Sequence, residues 1–499
     1  MNQQMPTSRL GNAAAKFLAR GEFGLFIDGE VRPALSKRTI ETIDPSNGKV
    51  LGRLAEGEEP DINRAVEAAR TAFQGEWSRW SPYARQTLLY RAHEIVDRHF
   101  DELAEIDTID MGAPISRTRA SKAAVLRMIL YFASRSTTIA GETLQNGLPG
   151  EVSTMSLKTP AGVVGGIIPW NGPVGALWWV VGAVLATGCT VVLKPAEDAS
   201  LSALRVAELL HDAGVPKGVV NVVTGFGSGA GAALARHPGV DRVAFTGSTE
   251  TGRKIIEAST VNIKKLQLEL GGKSPDIVFA DADLDKAVPG AAMGVFANSG
   301  QICFAGTRVF VQRAIVGEFC ERVAAFAASV KVGDSLDPSS QLGPLVSRRQ
   351  LDRVMSYIQL GSQEGANLIC GGDRIGGALA DGYFVAPTIF SGVENRMRIA
   401  QEEIFGPVLS IIPFDTEAEA ISLGNQVEYG LGGAVWTKNI STALRVVKSI
   451  EAGVMWVNCY GLIDPIVGFG GTKFSGYGAK GGGAHLDTYL NTKSVYINL

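Results

Sequence analysis

The sequence predicts an α/β protein in which a doubly wound domain is followed by a second α/β domain of similar type. Three observations carry this. The 499 residues, 45% hydrophobic and 19% charged, are enough to bury more than one core. Between Gly162 and Leu270, short β-branched runs alternate with longer helical patterns bounded by Gly, Pro, Asn or Ser. A second alternation begins at DIVFADADLDKAV and continues to about Gly471.

Before Tyr131, the EAAR, ARQTLLYRAHEIVDRHFDELAEI and SKAAVLRMILYFA segments space charged and apolar residues at helix period and are expected to pad the first domain. GVVGGII, TVVLK, VVNVV, RVAF and KLQLEL are then predicted as buried strands, with helices beginning near Pro173, Ser200, Gly229 and Ser248. Strands alternating with helices mean parallel strands joined by crossovers, so ligands gather at the strands' carboxyl ends. In the second domain, Asp281 or Asp283 can cap the first helix. KGGGAH near 480 is expected to be a turn or loop.

Composition excludes several function classes. With 47 Lys+Arg against 50 Asp+Glu, a net charge of −3 and no long single-sign run, the footprint of a nucleic-acid binder is missing. No charged residue occurs from Ala161 to Leu193, but Pro169, Asn171 and Pro173 interrupt the stretch. Its longest unbroken part, 174 to 187, falls short of the roughly 20 residues a bilayer needs, so the expectation is a soluble protein without a membrane partner. The five cysteines, 189, 303, 320, 370 and 459, lack the close pairs of a zinc site or disulfide framework. No metal is expected, and a reducing, cytoplasmic setting fits. The leader MNQQMPTSRLGNAAAKFLAR has no signal-peptide core and is expected to be frayed.

Several residues are placed where chemistry is possible. Cys303, in SGQICFAGTR, sits at a helix-to-strand junction, as a buried small hydrophobe or as a nucleophile. Glu269 closes KLQLEL ahead of two glycines; a carboxylate ending an apolar strand is either an ion-pair partner or a base raised by desolvation. Asn171 follows IIPW and can donate its amide to a substrate oxygen or to a turn. In FTGSTETG, Gly247 and Ser248 offer a strand-to-helix turn to a pyrophosphate. TGFGSGAG, with Gly227 and Gly231, is no clean dinucleotide fingerprint, because Ala230 stands at the third glycine. Lys194 and Glu197, in VVLKPAE, are either a helix-capping pair or a ribose site. In the second case the acid would repel a 2′-phosphate and favour NAD over NADP.

Taken in order, PWN at 169–171, KPAE at 194–197, FTGST at 245–249, LELGGKSP at 268–275, GQICFAG at 300–306 and EEIFGPV at 402–408 resemble the aldehyde dehydrogenase superfamily. The likeness runs from FIDGE at Phe26 to Lys493. It implies a nucleotide-binding domain (1–139 and 161–270), a catalytic domain (271–473) and a small β arm (140–160 and 474–499) through which dimers or tetramers form. The VSTMSLKT and SVYINL patterns suit edge strands of such an arm.

The resemblance further implies that Cys303 attacks an aldehyde, Asn171 and the Cys303 amide stabilise the oxyanion, and Glu269 activates the water that hydrolyses the thioester. NAD would be held by Ile168, Pro169, Trp170, Lys194, Glu197, Gly227, Gly231, Phe245, Gly247, Ser248, Leu270, Gly271, Glu403 and Phe405, with NADP as a weaker alternative. Gly172, Ala176, Trp179, Ala297, Ile302, Phe304, Ile463 and Phe469 match the substrate tunnel. Small side chains at several of these predict a roomy apolar tunnel for an aromatic or medium-chain aldehyde. Val180 stands where many relatives carry lysine, and Lys480 where many carry glutamate, so proton release from Glu269 must differ here. A CoA-acylating enzyme and a non-catalytic scaffold are the competing expectations.

Overall fold

A computed structural model describes residues 9–499. The apolar runs between 163 and 269 form the centre of an eight-stranded sheet. Its order is Gly476–Tyr477, Lys265–Glu269, Arg242–Thr246, Val163–Ile168, Thr190–Pro195, Val220–Val222, Leu25–Ile27 and Glu30–Arg32. The five central strands are parallel, and both edges are antiparallel.

These strands read as continuous rather than alternating apolar runs because both faces are covered. Val164 and Ile168 point into one core with Trp178 and Phe132, while Val163 and Ile167 point into the other with Leu234 and Ile255. The chain starts in the middle at Val163–Ile168, moves outward through two strands, then returns to the other side at Arg242–Thr246. The switch point therefore lies between the carboxyl ends of Val163–Ile168 and Arg242–Thr246.

The uncharged 161–193 stretch is resolved as strand, turn, helix Pro173–Thr187 and strand. Pro173 opens that helix at its first turn and Gly188 closes it in the left-handed region at φ 83°, a conformation glycine adopts without strain. Among the described residues, no helix is long and apolar enough to cross a membrane.

A second sheet follows the order Asn367–Cys370, Thr388–Ser391, Val408–Phe414, Arg308–Gln312, Pro275–Val278, Gly432–Trp436, Val454–Val457, parallel except at the Asn367–Cys370 edge. The arm is a three-stranded antiparallel sheet of Leu490–Asn498, Val152–Pro160 and Thr143–Leu144. Segment 474–499 serves two sheets, since Gly476–Tyr477 pairs with Lys265–Glu269 before the chain reaches the arm.

The structure departs from expectation in two places and refines it in two more. The first eight residues of the leader lie outside the described residues. The rest is not frayed: Asn12–Leu18 is a helix that buries Ala14, Phe17 and Leu18. The long ARQTLLYRAHEIVDRHFDELAEI helix is two, Pro82–Arg98 and Phe100–Met111, broken at His99. The helix expected near Gly229 begins at Gly227 as one π-helical turn, Gly227–Gly231, and continues as α-helix from Ala232. Of the two candidate caps, Asp283 caps Leu284–Phe296, whereas Asp281 accepts from Thr437 and Lys438.

Candidate active site

The carboxyl ends of the first sheet carry the dinucleotide candidates. Lys194 ends its strand with a buried side chain whose Nζ donates to Glu197 Oε2 at 2.9 Å. Burial raises the Glu197 carboxyl, the Lys194 charge and hydrogen bond lower it, and the net direction is down, so Glu197 is an anion. A side chain at Gly231 would meet the Lys194 stem at 3.8 Å, whereas Gly227 and Gly229 face open space. Across the switch point, Ser248 caps helix Thr249–Ser259 by accepting from Thr251 N at 3.2 Å.

Glycine at 247 is required by close approach, since a Cβ there would lie 2.5 Å from the Phe245 ring. Ile168, Phe245 and Leu270, expected at the cofactor site, have side chains buried in the cores. On the far wall, Trp170 packs edge-on against Phe405 at 5.3 Å. Phe405 is held at φ 60°, a left-handed conformation costly for an aromatic residue. Pro169 links Ile168 to this wall.

These features fit a dinucleotide. An anionic ribose acceptor, open glycine backbone and a capped helix start converge on one switch point, with Glu403 at the far end. Gly272 N donates to Glu403 Oε1 at 3.0 Å, and a side chain on Gly271 would collide with the same carboxylate. Burial pushes Glu403 up to about 7.

The reactive groups meet where the two sheets face each other. The loop ahead of Cys303 is left-handed at Asn298, Ser299 and Gly300; a Cβ on Gly300 would strike the Gly406 carbonyl. Asn298 donates to the carbonyls of Asn171 (3.1 Å) and Gln301 (3.3 Å), and Asn171 Nδ2 donates to the Gln301 carbonyl at 2.8 Å. The Asn171 amide is thereby fixed two residues from Cys303. Gly272 lies against the Cys303 carbonyl, where a Cβ would come within 2.4 Å.

Cys303 is half-buried, and burial together with the Glu269 and Glu403 charges pushes its thiol up to about 12. Glu269, 2% exposed, has no hydrogen-bond partner on either carboxylate oxygen. Burial pushes it up to about 8, against a lowering pull from Lys480. Val180 is buried in the core near Gly166, so the ammonium near Glu269 comes from Lys480.

Beside the thiol, Phe304 packs against Trp456 (5.5 Å) and Phe469 (5.7 Å), and Tyr460 donates to the Phe304 carbonyl at 2.6 Å. Side chains at Gly172 and Gly175 would meet nothing within 4 Å. Ala176, Ala297 and Ile302 are half-buried. Trp179 packs against His485 at 5.9 Å. Ile463 is 40% exposed, which places it at the rim rather than inside.

Sequence reasoning did not find Asn298, Gln301, Trp456 or Tyr460. The one local signal was NSGQ, where Asn tolerates left-handed backbone and glycine follows. Trp456 and Tyr460 reach Phe304 from about 150 residues away, beyond any local pattern.

A doubly wound sheet whose switch point opens onto a half-buried cysteine and a desolvated carboxylate defines a dinucleotide-dependent oxidoreductase. The aldehyde dehydrogenase family profile matches residues 32–495, and the chain belongs to that family.

The chain is 45% identical over 478 residues to aldehyde dehydrogenase family 2 member C4 of Arabidopsis thaliana, covering 95% of each chain. It is 44% identical over 478 residues to the mitochondrial benzaldehyde dehydrogenase of Antirrhinum majus, covering 95% of this chain and 89% of that one. Among solved structures, the NAD+ complex of an aldehyde dehydrogenase from Bacillus cereus superposes with a TM-score of 0.96 at 42% identity, over 98% of this chain and 99% of that one.

Proposed function

We propose that this enzyme oxidises an aromatic or medium-chain aldehyde to the carboxylic acid, with Cys303 as nucleophile and Glu269 as the base for hydrolysis. The observation that carries this reading is the Glu269 carboxylate, buried beside Cys303 with both oxygens unpartnered. A carboxylate kept in that state costs stability and is suited to taking a proton.

Cys303 releases its thiol proton to solvent as Sγ adds to the aldehyde carbon, and the oxyanion accepts from Asn171 Nδ2 and the Cys303 amide. Donors of this kind contribute about 3 kcal/mol each. NAD, when bound, supplies the hydride acceptor that turns the thiohemiacetal into a thioester, and Lys194, Glu197, Ser248 and Glu403 would hold it. Glu269 then takes a proton from water as its oxygen attacks the thioester, and Cys303 leaves as the acid is released.

The open space at Gly172 and Gly175 and the Phe304, Phe469 and Trp456 cluster favour a broad, flat substrate. The Antirrhinum majus relative, named for benzaldehyde, supports the same choice. NAD is preferred over NADP because the Glu197 anion repels a 2′-phosphate. We place the nucleotide domain at 1–139 and 161–270, the catalytic domain at 271–473 and the arm at 140–160 and 474–499. Homodimers or homotetramers form through the free edge of Leu490–Asn498, where Tyr496 and Ile497 are exposed, and the enzyme works in the cytoplasm.

The test is NADH formation across aldehydes with and without CoA, with product analysis. Benzaldehyde-type substrates with kcat/KM above that of acetaldehyde and free acid as product are expected. A preference for acetaldehyde, or acyl-CoA as product, contradicts the reading.

A further inference from the structure

We propose that Lys480 is the positioning residue for the base: its ammonium, seated on the Thr246 hydroxyl at the end of the neighbouring strand, favours the ionised Glu269 carboxylate that deacylation needs. The proposal rests on Glu269 being that base. Thr246 and Glu269 are register partners on adjacent parallel strands, so whatever is anchored on the Thr246 side chain is brought next to the end of the Glu269 strand. Lys480 Nζ donates to Thr246 Oγ1 at 2.6 Å.

The lysine is held from behind as well. Its N–H and C=O pair with the C=O and N–H of Phe469, both at 2.7 Å, forming an isolated antiparallel bridge. The next residue, Gly470, packs against Glu269 itself, because a Cβ there would lie 3.1 Å from Oε1. One short bridge therefore fixes both the ammonium and the wall of the carboxylate's pocket.

The hydrogen-bond inventory points the same way. An ammonium has three donors, and Thr246 takes one. The carboxylate has two acceptor oxygens, and no protein group takes either. Both groups are nearly excluded from solvent, at 8% and 2% exposure. Opposite charges anchored at adjacent strand ends inside the protein, although not in direct hydrogen-bond contact, favour each other's ionised form.

The titratable groups around the pair are few. Lys480 acts on Glu269 from the Phe469 bridge, and Glu269, Lys480 and Glu403 all act on Cys303 in the reactive loop. His485, packed against Trp179, Phe132 and Tyr489, is pushed down to about 3 by burial and by Lys480, so it stays neutral. Tyr460 is raised well above its ordinary range by burial. Lys480 is thus the cation acting on Glu269, and it opposes the upward push of burial.

Glu269 works as a base only when ionised, so hydrolysis rises with pH through its titration, and removal of the nearby cation moves that limb to higher pH. The experiment is kcat against pH with benzaldehyde and NAD for the wild type, Lys480→Met, Lys480→Arg and Glu269→Gln, with rapid-mixing measurement of the NADH burst and a thermal midpoint for each. In Lys480→Met the acid limb is expected to move up by about one pH unit or more. This lowers kcat at neutral pH about tenfold per unit, while a stoichiometric NADH burst persists and alkaline pH restores turnover. Lys480→Arg, which keeps the charge, is expected to retain a limb near that of the wild type. Should Lys480→Met not fold, Lys480→Gln carries the same expectation.

A folded Met or Gln variant with an unmoved acid limb, while Glu269→Gln loses turnover, overturns the role of Lys480. Wild-type turnover in Glu269→Gln overturns the underlying reading of the base instead.

Discussion

Two buried charges, Arg308 in the second sheet and Glu269 at the end of the first, are almost equally hidden from water and could hardly be treated more differently. Arg308, fully buried, donates to the carbonyls of Lys273 (2.9 Å), Leu423 (3.1 Å) and Gly424 (2.8 Å) and to Asn395 Oδ1 (3.2 Å). Neither carboxylate oxygen of Glu269 has a hydrogen-bond partner. A buried charge with its donors satisfied ties segments together; one left unsatisfied is costly and persists where chemistry uses it. The difference separates a residue that builds the scaffold from one that reacts.

The sharpest way to break this contrast is at the nucleophile served by the unsatisfied acid. Cys303→Ala is expected to lower NAD-dependent turnover by about four orders of magnitude or more with a thermal midpoint near that of the wild type. Comparable turnover in the mutant would remove the reason for the buried base. The scaffold side is probed by Arg308→Met. Leaving three backbone carbonyls and Asn395 without their donor is expected to cost about 3 kcal/mol of unfolding free energy, read by denaturant titration, while folded enzyme keeps its KM for NAD.

Asn171→Ala tests the oxyanion donor and is expected to lower kcat by about 100-fold or more, with little change in unfolding midpoint. A further prediction concerns stability and pH. The folded-state pKa of Glu269 is raised to about 8 from 4.5, so between those values the native state holds a proton that the unfolded chain releases. Its contribution is therefore fully present below about 4.5 and is lost as pH rises through about 8. Glu269→Gln is expected to abolish this loss, gaining stability over the wild type as pH increases, at up to about 1.4 kcal/mol per pH unit. Parallel stability curves for the two proteins would show that the carboxylate is not desolvated.

Much of the first sheet was legible because its strands are buried on both faces and stand out as β-branched runs. KLQLEL delivered Glu269 at its strand end, whereas the close approaches that require glycine at 271 and 272 come from Glu403 and Cys303 far along the chain. Cys303 was legible as a residue at an element junction, not as a group with a raised pKa, which depends on Glu269 and Glu403 arriving from elsewhere. The direction of side chains was less legible. Ile168, Phe245 and Leu270 flank the site in sequence, and nothing local announces which of the two cores each side chain enters. Long-range satisfaction was not legible at all: nothing local to Arg308 announces Leu423 and Gly424, and nothing local to Lys480 announces Thr246. Helix Asn12–Leu18 was mistaken for a frayed leader because its short apolar face is stabilised by packing rather than by its own propensity.

The central claim is that the unpartnered carboxylate is the base for hydrolysis, and rapid mixing of Glu269→Gln with aldehyde and NAD tests it most directly. The account predicts a stoichiometric burst of NADH followed by almost no further turnover, with the acyl group retained on Cys303. Continued turnover at the wild-type rate after the burst would contradict it.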